Sequence, residues 1–275
     1  MKITIIGSKG MLGRMVCDYF NKFTNDFEFI IAKKFEIDKE EEFLESLGNP
    51  DYVINCSGAI PQRAPNTQNQ NELEKYYSIN NSIPILLIEN NFKVIHPCTD
   101  CVYKGDPQNA PYSINSKFDC EDLYGKSKSR LYYSHQYKSN KQSIKVIRTS
   151  IVGPDNFNNS LYSWSLSMVK SSRLIKGYIN HFWNGITTLK WAEICLSIIK
   201  DFESYPSISV YGTNTISKYE LIRNILISNE LSPDIFLKPV KADEDKDKSL
   251  LLGPNNLGDI FPLLKNLTEF QRVLK

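Results

Sequence analysis

The chain opens with a short apolar strand candidate, Lys2-Ile-Thr-Ile-Ile6, that runs directly into Gly7-Ser-Lys-Gly10-Met-Leu-Gly13. A helical pattern follows from Met11 to about Phe23, with Leu12, Met15, Val16, Tyr19 and Phe20 at helical spacing. Strand, glycine-rich turn and helix in that order leave backbone N–H groups aimed at a phosphate. Gly7 allows the tight turn, Gly10 lets the backbone approach a pyrophosphate, and Gly13 lets the helix pack on the strand. Met11 and Leu12 complete this candidate dinucleotide-binding set. The spacing is GxxGxxG rather than GxGxxG, so the strand in front of the turn carries the argument. A purely structural turn is the competing reading.

The rhythm set by that first unit continues. Phe27–Ala32, Asp51–Cys56, Lys93–His96 and Ile144–Arg148 read as further strands. Glu40–Leu47, Asn81–Glu89 and Leu123–Gln136 read as the helices between them. This alternation predicts an α/β fold of Rossmann type, a doubly wound parallel sheet with helices on both faces. After Gly153-Pro154 the pattern changes to a polar loop, a helix near Trp164–Lys170 and a run through Trp183-Asn-Gly-Ile. The expected organisation is a dinucleotide-binding domain over 1–154 and a smaller mixed substrate lobe over 155–275. Within the lobe, about 178–212, with a helix at Trp191–Phe202 and a strand at Ser207–Tyr211, is expected to return to the sheet.

Composition narrows the function classes. The 33 basic and 31 acidic residues leave a formal charge of +2, which gives no electrostatic footprint for nucleic acid or an anionic membrane. No segment approaches the roughly 20 apolar residues of a bilayer span, and the N-terminus lacks a signal-peptide pattern. Six cysteines without regular spacing fit a reducing cytoplasm. Cys98-Thr-Asp-Cys101 is formally a CxxC, but it has no second ligand pair. His96, His135 and His181 form no ligand spacing, so no residue is assigned to a metal.

An acidic residue at the end of the second strand suits the ribose 2′-hydroxyl of NAD, and a basic one suits a 2′-phosphate. Here Phe29-Ile-Ile-Ala32 runs into Lys33-Lys34, which favours NADPH and leaves NADH open. Further along, Tyr124-Gly-Lys-Ser-Lys128 sets two side chains four residues apart on one helix face. A tyrosine titrating near pH 10 is a poor acid-base group, and a neighbouring ammonium is expected to lower it. Thr99, just after the fourth strand, offers a hydroxyl at the carboxyl end of the sheet, where ligands of such folds bind.

Met1–Gly13, Asp51-Tyr-Val-Ile-Asn-Cys-Ser-Gly58, Thr99-Asp100-Cys-Val-Tyr, Leu123-Tyr-Gly-Lys-Ser-Lys128 and Val146-Ile-Arg-Thr-Ser150 together resemble the extended short-chain dehydrogenases. The resemblance is nearest to the dTDP-4-dehydrorhamnose reductases, runs over about the first 150 residues and weakens afterward. It implies a triad of Thr99, Tyr124 and Lys128, with Cys56, Ser57 and Gly58 lining the cofactor. It also implies that Asp38 approaches the adenine, that the backbone near Ile151 meets the carboxamide, and that Asp100 and Cys101 lie at the substrate. Trp183 offers a stacking face for sugar or base, with a core tryptophan as the other reading. Arg63, Arg148 and Arg173 are candidates for a diphosphate.

Cys101 stands where related 4,6-dehydratases carry a glutamate, which argues against water elimination. Some epimerising relatives carry a cysteine base there. The partner acid they need, a His or Lys, is missing from Asn158-Asn-Ser-Leu-Tyr-Ser163. The expectation is therefore an NAD(P)H-dependent 4-ketoreductase of a nucleotide-activated 4-keto-6-deoxyhexose, with a homodimer left open. A bifunctional 3,5-epimerase/4-reductase using Cys101 and a non-catalytic NADP-binding regulatory subunit are the alternatives.

Overall fold

Parallel pairing links β1 (Lys2–Ile6) to β2 (Glu28–Ile31) on one side and to β3 (Tyr52–Asn55) on the other. It continues from β3 to β4 (Val94–Cys98) and on to β5 (Ile144–Arg148). A short edge strand, Ile208–Val210, completes a six-stranded sheet beyond β5. The computed structural model describes residues 1–24, 27–60 and 70–274. The expected Rossmann-type sheet is present, and its strand order places β2 and β3 on either side of β1. Crossovers that reverse direction there open a crevice at the carboxyl ends of these strands.

Every residue of β4 and β5 is buried, as expected for inner strands covered on both faces. Two charges inside β5 are accommodated by specific neighbours. Lys145 donates from Nζ to the Tyr205 carbonyl at 2.6 Å, and the Arg148 guanidinium lies 5.0 Å from the Phe118 ring and 5.1 Å from the Tyr132 ring. The helix α1 (Met11–Phe23) packs Phe20 edge-on against Phe29 of β2, with ring centroids 5.8 Å apart, and so holds the second strand beside the glycine turn.

The helices depart from the sequence pattern in two places. After α2 (Glu40–Ser46), the segment before β4 holds a helix α3 (Gln70–Tyr77), a π-helical turn Ser78–Ser82 and α4 (Ile83–Glu89). Periodicity showed only the last part. The expected continuous helix Leu123–Gln136 is broken. α5 covers Leu123–Ser129, a 3₁₀ turn follows over Arg130–Tyr133, and α6 (His135–Ser139) restarts the helix. Ser134 causes the restart, because its extended backbone lets its hydroxyl cap the Tyr137 N–H at 3.2 Å.

Two compact units emerge. The first comprises Met1–Val102, Phe118–Arg148 and Ala192–Ser209; the second comprises Tyr103–Lys117, Thr149–Trp191 and Val210–Lys275. Within 178–212 it is Ile208–Val210 that pairs in the large sheet, whereas His181–Trp183 pairs with Ile216–Ser217 and Lys246–Asp247. In the second unit Ile175–Tyr178 pairs in parallel with Leu237–Val240. The helix Lys218–Ser228 starts from a capping box of Ser217 and Glu220, and Ile222 and Leu226 pack with Val169, Ile175 and Leu237. Among the described residues no helix is long and apolar enough to cross a membrane.

Candidate active site

The glycine turn is built for close approach. Gly7 has φ +78°, and a Cβ on it would lie 2.8 Å from the Ser57 backbone nitrogen at the end of β3. A Cβ on Gly13 would strike the Gly7 carbonyl, 2.7 Å from its carbon. Gly10 is less crowded: among the described residues a Cβ there would meet only the Gly7 oxygen, at a tight 3.3 Å. It caps α1 without any side-chain partner, and no acidic residue occupies the first turn. Free N–H groups and the positive end of the helix dipole therefore remain open for an anion. Leu12 is buried and Met11 half-buried, so Leu12 offers a ligand only its backbone.

Lys33 and Lys34, both exposed, line a cleft of about 240 Å³ with Glu36, Lys39, Glu42 and Phe43. Lys39, which the sequence reading did not single out, lies 3.4 Å from Glu36. Asp38 is exposed and does not line this cleft.

Thr99, 8% exposed, follows β4 and leads into the tight turn Asp100–Val102. Its hydroxyl donates to Asp100 Oδ1 at 3.1 Å and accepts the Cys101 backbone N–H at 3.1 Å. The helix α5 begins at Asp122, whose carboxylate accepts the Gly125 N–H at 2.8 Å. Gly125 has no room for a side chain: a Cβ would strike the Cys101 carbonyl and lie 3.0 Å from Cys120 Sγ. That close seating places the half-buried Tyr124 phenol beside Thr99 and Cys101. Lys128, 4% exposed, donates from Nζ to the Pro97 carbonyl at 3.4 Å, and a Cβ on Gly58 would lie 4.0 Å from that nitrogen. Thr99, Tyr124, Lys128 and the Cys56-Ser57-Gly58 loop are thus brought together within the first unit.

The electrostatics correct one expectation. The Tyr124 phenol is raised rather than lowered. Burial pushes that phenol well above its ordinary range, Cys101 adds to the rise, and the Thr99 hydrogen bond opposes it. Burial also lowers the Lys128 ammonium to about 8.

Asn80, in the π-helical turn, was missed by the sequence reading. Fully buried, it accepts the Ala59 N–H at 3.0 Å, donates to the Ala59 carbonyl at 3.0 Å and donates to Ser127 Oγ at 2.8 Å. It joins the loop after β3 to the helix carrying Tyr124 and Lys128. A lone Asn in a polar stretch gives no periodic signal. Asn80→Ala is expected to cost about 1–3 kcal/mol in denaturant unfolding, because buried backbone groups of Ala59 lose their partner.

Trp183 is 2% exposed, with Lys218 Nζ 5.3 Å from the ring and Gly185 pressed against its edge, so it is a core tryptophan without an open stacking face. Arg148 is 1% exposed, with its guanidinium against the Phe118 and Tyr132 rings. Arg63 lies outside the described residues, and Arg173 is an exposed residue of the second unit. Ile151, half-buried, belongs to the second unit, where Ile151–Val152 pairs with Ile186–Thr187. Cys101 is half-buried, with its thiol 3.6 Å from Asp100 Oδ1.

The family model for the RmlD substrate binding domain matches residues 1–248. The chain belongs to the RmlD family. That family lies within the extended short-chain dehydrogenases, in line with the motif resemblance. No curated protein matches this RmlD-family chain by sequence. Solved structures share its fold. A dTDP-4-dehydrorhamnose reductase from Clostridium acetobutylicum is 18% identical with a TM-score of 0.77, covering 100% of this chain and 99% of that one. The reductase from Bacillus anthracis, solved with NADP, is 16% identical with a TM-score of 0.77 at 100% and 99% coverage. A UDP-glucose 4-epimerase from Thermotoga maritima, with UDP-glucose, is 15% identical with a TM-score of 0.75 and complete coverage of both chains.

Proposed function

We propose that this RmlD-family protein is an NADPH-dependent 4-ketoreductase of a nucleotide-activated 4-keto-6-deoxyhexose. The observation that carries the reading is the half-buried Tyr124 phenol set beside the Thr99 hydroxyl, with buried Lys128 one helical turn on and against the loop after β3. A reduced nicotinamide, when bound, supplies hydride. The chain's own residues supply the proton and the orientation. Tyr124, kept protonated by burial, donates its phenolic proton to the oxygen developing on the substrate carbon, while Thr99 orients that oxygen. Lys128, with its ammonium lowered to about 8, holds the nicotinamide ribose and returns a proton to Tyr124 near neutral pH.

Gly7, Gly10 and Gly13 suit the pyrophosphate, with Ser57 and Gly58 beside the nicotinamide half. Lys33, Lys34 and Lys39 make the cleft after β2 basic despite Glu36 and Glu42, which favours a 2′-phosphate. Replacing both Lys33 and Lys34 with alanine is expected to lower the preference for NADPH over NADH by roughly tenfold or more. Dissociation constants for the two cofactors check this, and an unchanged ratio contradicts the assignment.

The bifunctional epimerase/reductase reading turns on Cys101. The Cys101 thiol lies against Asp100 Oδ1 at 3.6 Å, and Asn158-Asn-Ser-Leu-Tyr-Ser163 carries no His or Lys to serve as the partner acid, which supports the plain reductase. A non-catalytic regulatory subunit leaves the assembled Thr99–Tyr124–Lys128 group without a use. NADPH oxidation against UDP-, dTDP- and GDP-4-keto-6-deoxy sugars tests the reading. One of them is expected to be reduced at C4 without solvent deuterium at C3 or C5. Deuterium there, lost in Cys101→Ser, supports the bifunctional enzyme, and no oxidation of NADPH by any of them contradicts the reductase.

A further inference from the structure

Among the buried titratable side chains that the mechanism above does not use is a histidine of the central sheet. His96 lies in β4, 1% exposed, and its Nδ1 is 3.1 Å from the Nδ2 of Asn55 in β3. Asn55 is fully buried and sits one step past the paired residues Ile54 and Ile95. On its other side, Asn55 Oδ1 accepts the Ser57 backbone N–H at 3.0 Å and the Ser57 hydroxyl as well.

These bonds fix each other's polarity. A backbone N–H only donates, so the amide atom facing Ser57 is the oxygen, and the atom facing His96 is the NH₂ group. His96 Nδ1 must then accept, which requires a neutral imidazole with its proton on Nε2. Burial and the nearby Lys128 ammonium both hold His96 well below its usual range, consistent with that form. The Ser57 nitrogen at the far end of this relay is the atom on which the Gly7 turn rests, with no room for a Cβ between them.

We propose that His96 is a positioning residue for dinucleotide binding: as the Nε2–H tautomer it orients Asn55, which sets the Ser57 backbone against which the phosphate-binding turn is seated. The inference rests on the cofactor reading above and deepens it. Removing the acceptor leaves an unsatisfied amide and frees Ser57 to shift. The loss falls on cofactor affinity because Ser57 and Gly7 touch directly.

The test compares His96→Leu, which removes the acceptor, with His96→Asn, whose Oδ1 replaces Nδ1. Titration with NADPH gives the dissociation constant of each folded protein. His96→Leu is expected to bind NADPH about tenfold more weakly. His96→Asn is expected to return to within about threefold of the parent, a rescue that a packing role would not produce. Equal affinity in His96→Leu and the parent overturns the proposal, as does equal weakening in both variants. A parent that binds no nicotinamide cofactor overturns the functional reading itself, and this inference with it. Should His96→Leu fail to fold, long-range ¹H–¹⁵N correlation on the unmodified protein decides. A proton on Nε2 is expected, and a proton on Nδ1 overturns the proposal.

Discussion

Tyr124→Phe is expected to lower kcat by about 10²–10⁴-fold while cofactor affinity stays within about threefold. The phenol is the acid nearest the substrate oxygen in the proposed reaction, and it stands beside Thr99. Phenylalanine keeps the ring and its packing on α5, so stability is expected to change by less than about 1.5 kcal/mol. Steady-state rates with a 4-keto nucleotide sugar, together with NADPH titration, separate the two quantities. A variant that reduces substrate at the parent rate removes Tyr124 from the chemistry and favours the regulatory-subunit reading.

The second large effect is expected at the glycine turn, where two neighbouring substitutions should behave differently. In Gly13→Ala the new methyl meets Gly7 and Ser8 backbone atoms at 2.7 and 2.8 Å, and backbone cannot swing aside as a side chain can. A loss of about 1–3 kcal/mol or more in stability is expected, together with cofactor binding. In Gly10→Ala the methyl meets only one oxygen, at 3.3 Å. Stability should fall by no more than about 1 kcal/mol, the difference between Gly and Ala at a helix cap. Cofactor affinity should nevertheless drop at least about tenfold, because the methyl occupies the open approach to the helix N-terminus. Thermal unfolding and NADPH titration of both variants check the contrast. Undiminished affinity in Gly10→Ala would mean that this turn is structural and holds no pyrophosphate.

Local pattern made much of this protein legible. The first strand, the glycine turn and α1 follow from an apolar run, three glycines and a helical period, and all are set by neighbours in sequence. Thr99, Tyr124 and Lys128 were legible as residue types at a strand end and on a helix face, and the fold brings them together. The remainder depends on contacts distant in sequence. Asn80 is informative only once the π-helical turn sets it between Ala59 and Ser127. The break at Ser134 sits inside an otherwise helical pattern, where the serine acts as a cap only because its backbone is extended. Trp183 is a core residue because Lys218 and Gly185 close over it. The direction of the Tyr124 shift also followed burial rather than spacing, since YxxxK gives proximity but not desolvation.

The central claim is hydride delivery to C4 with Tyr124 as the proton donor. Incubating the protein with NADPH deuterated at the nicotinamide C4 and a nucleotide 4-keto-6-deoxyhexose, then reading the product by NMR, tests it most directly. The account predicts one deuterium at C4 of the reduced sugar and its disappearance in Tyr124→Phe. Deuterium at another carbon, or NADPH that binds and is never consumed by any such sugar, would contradict it.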